Sequence, residues 1–409
     1  MQSKEKIILL LLAAINFTHI LDFMIMMPLG NYLMPYFNIS SQQFSMLVAA
    51  YTFSAGISGF LAAFFVDRFD RKKVLLVGYT GFLIGTLFCA LSPTYAVLLL
   101  SRIVAGIFGG LIGAQVLSIV ADLVPYERRG TAMGIIMAAF SVASVFGVPF
   151  SLYLSNIFNW HGPFFFVAGL GALLLPFLIK YLPKMDGHLT AVNQVKVNPL
   201  VLLKDILQNR NQVLALLLSA TIMLGHFMII PFLNPFLEFN KGFSKTQTPI
   251  VYMVGGALTL FASPLLGKVA DKVGKHRLFI FMALTATIPI AIITNLPTVP
   301  FYMVLVVTGF WFVVSSGRTI PAQAIISNVV SSERRGSFMS INSSVQQIFV
   351  GLASVIAGLV VVKTPSNAIQ HYEITGYISI AVTLLSILVI TKLNARMVAT
   401  DTLEKKKAA

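Results

Sequence analysis

The feature that most constrains this chain is its division into twelve long apolar runs. They fall at roughly residues 7–36, 43–66, 74–92, 96–121, 131–156, 163–182, 211–237, 248–270, 278–296, 301–326, 337–362 and 373–393. A helix needs about 20 apolar residues to cross the hydrocarbon of a bilayer. A segment in lipid must bond its backbone polar groups internally, so such runs predict helices. The expected fold is an all-α polytopic membrane protein with twelve transmembrane helices in two six-helix, pseudo-symmetric bundles. Composition agrees, because 57% of the 409 residues are hydrophobic and only 11% are charged. A soluble chain carries about 25% charged residues.

The net charge of +15 would suit a nucleic-acid partner if the basic residues were clustered on one patch. They are not. With the N-terminus in the cytoplasm, 24 of the 29 Lys and Arg fall in the cytoplasmic segments, and only Lys241, Lys245 and Lys363 face the other side. This is the positive-inside pattern; it places both termini in the cytoplasm and leaves no need for nucleic acid. Lys4 and Lys6 precede the first run, but no small-residue cleavage site follows, so it reads as a retained helix. The lone Cys89 lies in an apolar run and excludes a disulfide or thiolate metal site within the chain. Neither a metal nor a cofactor is expected.

The longest polar segment, 183–210, reads as a cytoplasmic linker between an N-terminal bundle (1–182) and a C-terminal bundle (211–394), with a cytoplasmic tail at 395–409. Within the linker, Pro199–Leu207 reads either as an amphipathic surface helix or as a solvated loop. The two halves repeat. Asp22-Phe23-Met24-Ile25 matches His226-Phe227-Met228-Ile229 at an offset of 204, and Asp67 falls on Asp271 at the same offset. Tyr126-Glu-Arg-Arg-Gly-Thr-Ala-Met matches Ser332-Glu-Arg-Arg-Gly-Ser-Phe-Met at 206. Parallel six-helix repeats belong to a transporter architecture with its substrate site between the halves.

Several motifs resemble those of the major facilitator superfamily. Ala63-Phe-Phe-Val-Asp67-Arg68-Phe-Asp70-Arg71-Lys72 is similar to its loop signature G-x-L-x-D-R-x-G-R-K, with Ala63 and Asp70 where the family has glycine. Gly267-Lys-Val-Ala-Asp271-Lys-Val-Gly274-Lys275 keeps both glycines. Arg102 stands in a stretch resembling the fourth-helix arginine motif, and Gly147-Val-Pro149 resembles the fifth-helix signature of proton-coupled exporters, with Ser151 where a second glycine is common. Asn159-Trp160-His161, followed by Phe164, resembles the opening of the sixth helix, with His for Arg. The resemblance spans the chain. It is closest to the drug/proton antiporter branch, which includes arabinose-efflux-like and other sugar-efflux permeases. It implies a monomer in the bacterial inner membrane that exchanges protons for a small organic solute such as a drug or a sugar.

Ionisable residues inside a membrane are costly and mark function. Asp22 and Arg102 form an expected pair for proton coupling: burial raises a carboxylate's pKa and a neighbouring arginine lowers it. A fixed structural ion pair is the plainer reading. His19, three residues before Asp22, shares its helix face. Arg318 cannot release its proton. It is expected to hold an anion or hydroxyl of the solute, to counter Asp22 across the cavity, or to bond carbonyls freed by Pro321. His226 takes the Asp22 position in the second half. Asn16, Tyr51, Gln115, Asn234, Gln323, Asn342 and Gln346 complete the expected polar substrate contacts. A gating latch is expected from Asp67, Arg71, Asp122 and Arg128 on the first half and Asp271 and Lys275 on the second, the plainer alternative being determinants of topology alone.

The absence of a G-x-x-x-x-G-K-[ST] loop argues against a nucleotide-driven pump. There is no His-Glu-x-x-His run or Gly-x-Ser-x-Gly elbow to favour a membrane-embedded enzyme. The short tails disfavour a receptor. An uptake symporter or a facilitator remains the alternative within transport.

Overall fold

The computed structural model describes residues 3–62, 66–186, 199–330 and 335–408. Among these residues, twelve helices are long and apolar enough to cross a membrane. They are α1 Glu5–Met26, α2 Ser41–Ala62, α3 Arg71–Ala90, α4 Tyr95–Val120, α5 Ala132–Phe158, α6 His161–Tyr181, α7 Arg210–Asn240, α8 Thr248–Val273, α9 Lys275–Thr294, α10 Phe301–Ser327, α11 Phe338–Val360 and α12 Tyr372–Met397. Side chains cap several starts: Asp70 accepts from Lys72 N before α3, Thr94 from Val97 N before α4, and Asn209 from Asn211 N and Gln212 N before α7. The outer surface carries large apolar side chains such as Val306, Phe261 and Leu388, suited to hydrocarbon.

Prolines interrupt three helices. The first run does not continue as one helix to Tyr36; α1 stops at Met26 and a short helix, Gly30–Tyr36, follows a turn around Pro28. In the second half α7 breaks at Met228–Ile229 ahead of Pro231, then resumes through Pro235 into a π-turn at Phe236–Asn240. A proline has no N–H to give and crowds the carbonyl four residues back, so the chain bends there. In α5 a π-turn, Ala143–Gly147, precedes Pro149 for the same reason.

In the first half α1 packs on α5 and α6, and α4 on α2 and α3; in the second, α7 packs on α11 and α12, and α10 on α8 and α9. The halves meet along α2 against α11 and α5 against α8, and the short helix Gly30–Tyr36 also meets Ile230–Pro235. Small residues permit the first. A Cβ on Gly56 would lie 3.0 Å from Ile348 and 3.1 Å from Ser344 O, and one on Gly358 would run into Ser45.

The linker's helix, Pro199–Gln208, buries Ile206 against the second bundle and leaves Val201 and Leu207 exposed. The remainder of the linker, 187–198, lies outside the described residues. A two-residue strand pair, β1 Val362–Lys363 and β2 Ile369–Gln370, joins α11 to α12. Helix also continues beyond α12 to Ala408, through residues expected to form a tail.

Candidate functional site

Asp22 is fully buried on α1, and each of its oxygens accepts one bond: Oδ2 from Arg102 Nη1 at 2.7 Å and Oδ1 from the Thr86 hydroxyl at 3.2 Å. α1, α3 and α4 therefore converge on one carboxylate. The Arg102 guanidinium also lies 4.3 Å from the centre of the Tyr51 ring on α2, a cation–π contact in a desolvated place. Its Nε has no protein partner, and neither has the buried Tyr51 hydroxyl. His19 sits beside this group, 6.4 Å from Tyr51 between ring centres, with both ring nitrogens unpartnered. Gly109 leaves the room for both: a Cβ there would lie 2.7 Å from the Tyr51 hydroxyl and 3.2 Å from His19 Nε2.

The second half is built differently. His226, at the position of Asp22 in the repeat, stacks on Trp311 at 4.9 Å. Arg318, deeper along the same face of α10, is 1% exposed and donates from Nη1 to Thr383 on α12 at 2.9 Å. Its Nε and Nη2 have no acceptor among the described residues. Asp22 is thus countered by Arg102 and not by Arg318.

The repeated tetrapeptides meet across the halves through their second residues. Phe23 and Phe227 meet across the halves with centres 5.9 Å apart, while Asp22 and His226 turn into their own bundles. Phe23 stacks on Tyr51 at 6.0 Å and Phe227 meets His226 edge-on at 5.3 Å. An unbroken aromatic series, Tyr51–Phe23–Phe227–His226–Trp311, therefore runs from the carboxylate site to the second bundle.

The other expected contacts are spread out. Asn16 bonds Ile136 O on α5 at 3.2 Å, and Asn342 accepts from Ser219 at 2.5 Å within the second bundle. Gln115 is buried with Oε1 unpartnered; Gln346 is half-buried with Nε2 unpartnered, and Gln323 is half-buried. Asn234 lies elsewhere, bonding Pro28 O at 2.7 Å and Asn31 at 3.2 Å on the side of the bundle opposite the linker.

That side carries a seam that sequence reasoning missed. Asn31 donates to Glu238 at 2.5 Å, and Thr248 donates to the other Glu238 oxygen at 2.7 Å. The Tyr32 hydroxyl donates to Asn156 at 2.6 Å, and Asn156 in turn bonds Lys245 O at 3.1 Å. Burial and the nearby Glu238 carboxylate push the Tyr32 hydroxyl's pKa up. Lys363 reaches Met34 O at 3.2 Å, and burial lowers its pKa. All the described hydrogen bonds between the halves lie at this end or on the adjoining length of α2 and α11. The only hint in the sequence was a carboxylate one residue past the seventh run; the π-turn carries the helix on and draws Glu238 in.

On the linker side Arg71 pairs with Asp122 at 2.6 Å, which ties α3 to the end of the fourth helix within one half. Lys275 stands 3.8 Å from Asp271, an exposed pair one turn apart. The side chains of Asp67 and Arg128 lie outside the described part. Asp70, noted only as a departure from glycine, caps α3 and also accepts from Met185 N at 3.1 Å, pinning the segment after α6. His161, where the family's arginine would stand, donates from Nδ1 to Ala90 O at 2.7 Å.

Comparison with known proteins places this geometry. The model of the Major Facilitator Superfamily matches residues 12–320 and 216–408. The MFS-type transporter YceJ of Bacillus subtilis is 25% identical over 88% of this chain and 89% of its own. Multidrug resistance protein 2 of the same species is 24% identical over 84% and 86%, and a probable sugar efflux transporter of Helicobacter pylori 23% over 62% of each. Among solved structures, a bacterial homologue of the human lysosomal transporter Spinster has a TM-score of 0.76 at 17% identity over 96% of this chain and 97% of that one. A D-xylose–proton symporter has 0.75 at 18%, over 95% and 97%.

Proposed function

The chain belongs to the major facilitator superfamily, and from that membership we propose that this transporter exports a small organic solute in exchange for protons. The observation that carries the reading is the Asp22–Arg102 pair, sealed in the first bundle and joined by aromatic contact to the second. A carboxylate there loses its charge on protonation, releases Arg102 from its only carboxylate among the described residues, and so changes what the Tyr51–Phe23 stack rests on. The similarity to multidrug and sugar efflux proteins supports export, as does the Gly147-Val-Pro149 resemblance, whose Gly147 ends the π-turn close to Leu21, one residue from Asp22.

The distribution of Lys and Arg supports a cytoplasmic linker and termini in a bacterial inner membrane. In that orientation the bonded seam lies on the outer side, while α2 and α11 stay packed towards the linker side, where Phe60 rests on the second half. Alternating access is the breaking of the Glu238–Asn31 seam and the closing of the linker side, with the halves rocking on α2–α11 and α5–α8. We read the Arg71–Asp122 pair as bracing the first half during this motion, and Asp67, Arg128, Asp271 and Lys275 as the remaining charges of the inner latch. Within the site we assign proton coupling to Asp22, Arg102 and His19, and solute contact to His226, Arg318 and the half-buried Gln323 and Gln346. Asn234 we assign to the outer gate.

The test is proton flux in proteoliposomes under an imposed pH gradient, read by an internal pH dye on adding arabinose, ethidium or 4-phenylbutyrate. The wild type should show solute-dependent proton movement, and Asp22→Asn should show none. Undiminished flux in that variant would return the pair to a purely structural role.

A further inference from the structure

Among the charges buried in the described membrane-spanning helices, Arg318 stands without a counter-charge. Asp22 and Arg102 neutralise each other at 2.7 Å. Glu238 at the outer seam has Lys245 as its cationic neighbour. Arg318 has no carboxylate among its described partners; it donates to the Thr383 hydroxyl and lies within electrostatic reach of His226. Nor does a carbonyl freed by Pro321 accept from it, since its one described bond goes to Thr383. A guanidinium has five N–H donors, always charged. The two nitrogens of Arg318 left without acceptors, Nε and Nη2, form one edge of the fork. That edge is the geometry that grips a carboxylate or sulfonate by two parallel bonds.

The surroundings fit an anion with an apolar body. His226, half-buried beside Arg318, carries Trp311 on one face and Phe227 at its edge. Met282 lies against Gly317 on the next helix, where a Cβ would be 2.7 Å from its sulfur. A cation would meet Arg318 with like charge, and a neutral sugar would leave the charge uncompensated. Resting on the export reading for the overall role of the site, we propose that the solute is an organic anion: a carboxylate or sulfonate seated on the Nε–Nη2 edge of Arg318, with its aromatic or aliphatic body against His226, Trp311 and Phe227.

The test needs no gradient, so it stands or falls apart from proton coupling. Full-length protein in detergent at constant pH is titrated with 4-phenylbutyrate, its amide and 4-phenylbutylamine, which share one body and differ in charge. Trp160 and Trp311 are the two tryptophans, so Trp160→Phe isolates the fluorescence of Trp311, and thermal shifts on the unmodified chain check the ranking. The acid should bind at least about tenfold tighter than the amide, as a charged hydrogen-bond pair implies. Arg318→Gln should bring acid and amide level, and Arg318→Lys should keep part of the preference. Sodium chloride at matched ionic strength should not displace the acid. The proposal is overturned if the amide or amine binds as tightly as the acid, if the preference survives Arg318→Gln, if chloride displaces the acid, or if the acid gives no saturable response. Loss of proton flux in Asp22→Asn with the acid preference intact would leave both readings standing; undiminished flux with that preference intact would sink the coupling alone.

Discussion

Asp22 and Arg102 left water together, and each is held by what the other supplies. Breaking such a buried pair by removing one partner costs about 3–5 kcal/mol, because the remaining charge stays uncompensated. Asp22→Asn should therefore lower the thermal stability of the detergent-solubilised protein, although Thr86 still has an oxygen to donate to. Asp22→Asn combined with Arg102→Gln should recover most of that loss while proton flux stays absent, which separates stability from coupling. A single variant as stable as wild type would mean that the pair is not desolvated. The pair was legible in the sequence because intramembrane charges are few and stand out. The 204-residue repeat put Phe23 and Phe227 at equivalent positions, and their contact follows from the packing of the halves. Glu238 and Asn31 were not: polar residues at the ends of apolar runs look like loop residues, and nothing local joins positions 207 apart.

At the scale of elements, the sequence located the helices well and their interruptions poorly. Pro28, Pro231 and Pro149 announce bends, but whether a helix stops, as at Met26, or takes a π-turn, as at Ala143–Gly147, depends on the neighbour that fills the gap. Gly30 shows this from the other side: a Cβ there would lie 2.9 Å from Phe44 and 3.0 Å from Pro235 of the opposite half. Asp70 is the converse case, a departure from the family's glycine that the fold uses. It accepts from Lys72 N at 2.8 Å and from Met185 N. Asp70→Ala should cost about 1–2 kcal/mol, the range for losing a helix cap, seen as a lower unfolding temperature. No change would show that the cap is replaced by solvent.

Over the whole molecule, one repeated bundle has been given two arrangements: a buried ion pair in the first half, and in the second an arginine with no carboxylate among its described partners, near a histidine. The bonds that join the halves at the end opposite the linker are separate from both, so they can be weakened alone. Glu238→Gln removes the charged acceptor of Asn31, and Gly358→Val forces α2 and α11 apart at Ser45. Both should raise the outward-open population. The sole cysteine, Cys89, is buried, so a cysteine placed at the buried Leu33 reports access from outside; its labelling by an impermeant maleimide should quicken in each variant. Unchanged labelling in both would mean that the seam does not gate. The most direct test of the central claim, that Asp22 couples solute binding to proton movement, is proton release at equilibrium. Whichever probe drives flux is added to weakly buffered, detergent-solubilised protein while the pH is recorded. The wild type should release protons on binding and Asp22→Asn should bind the same probe without release; equal release from the two proteins would contradict the account.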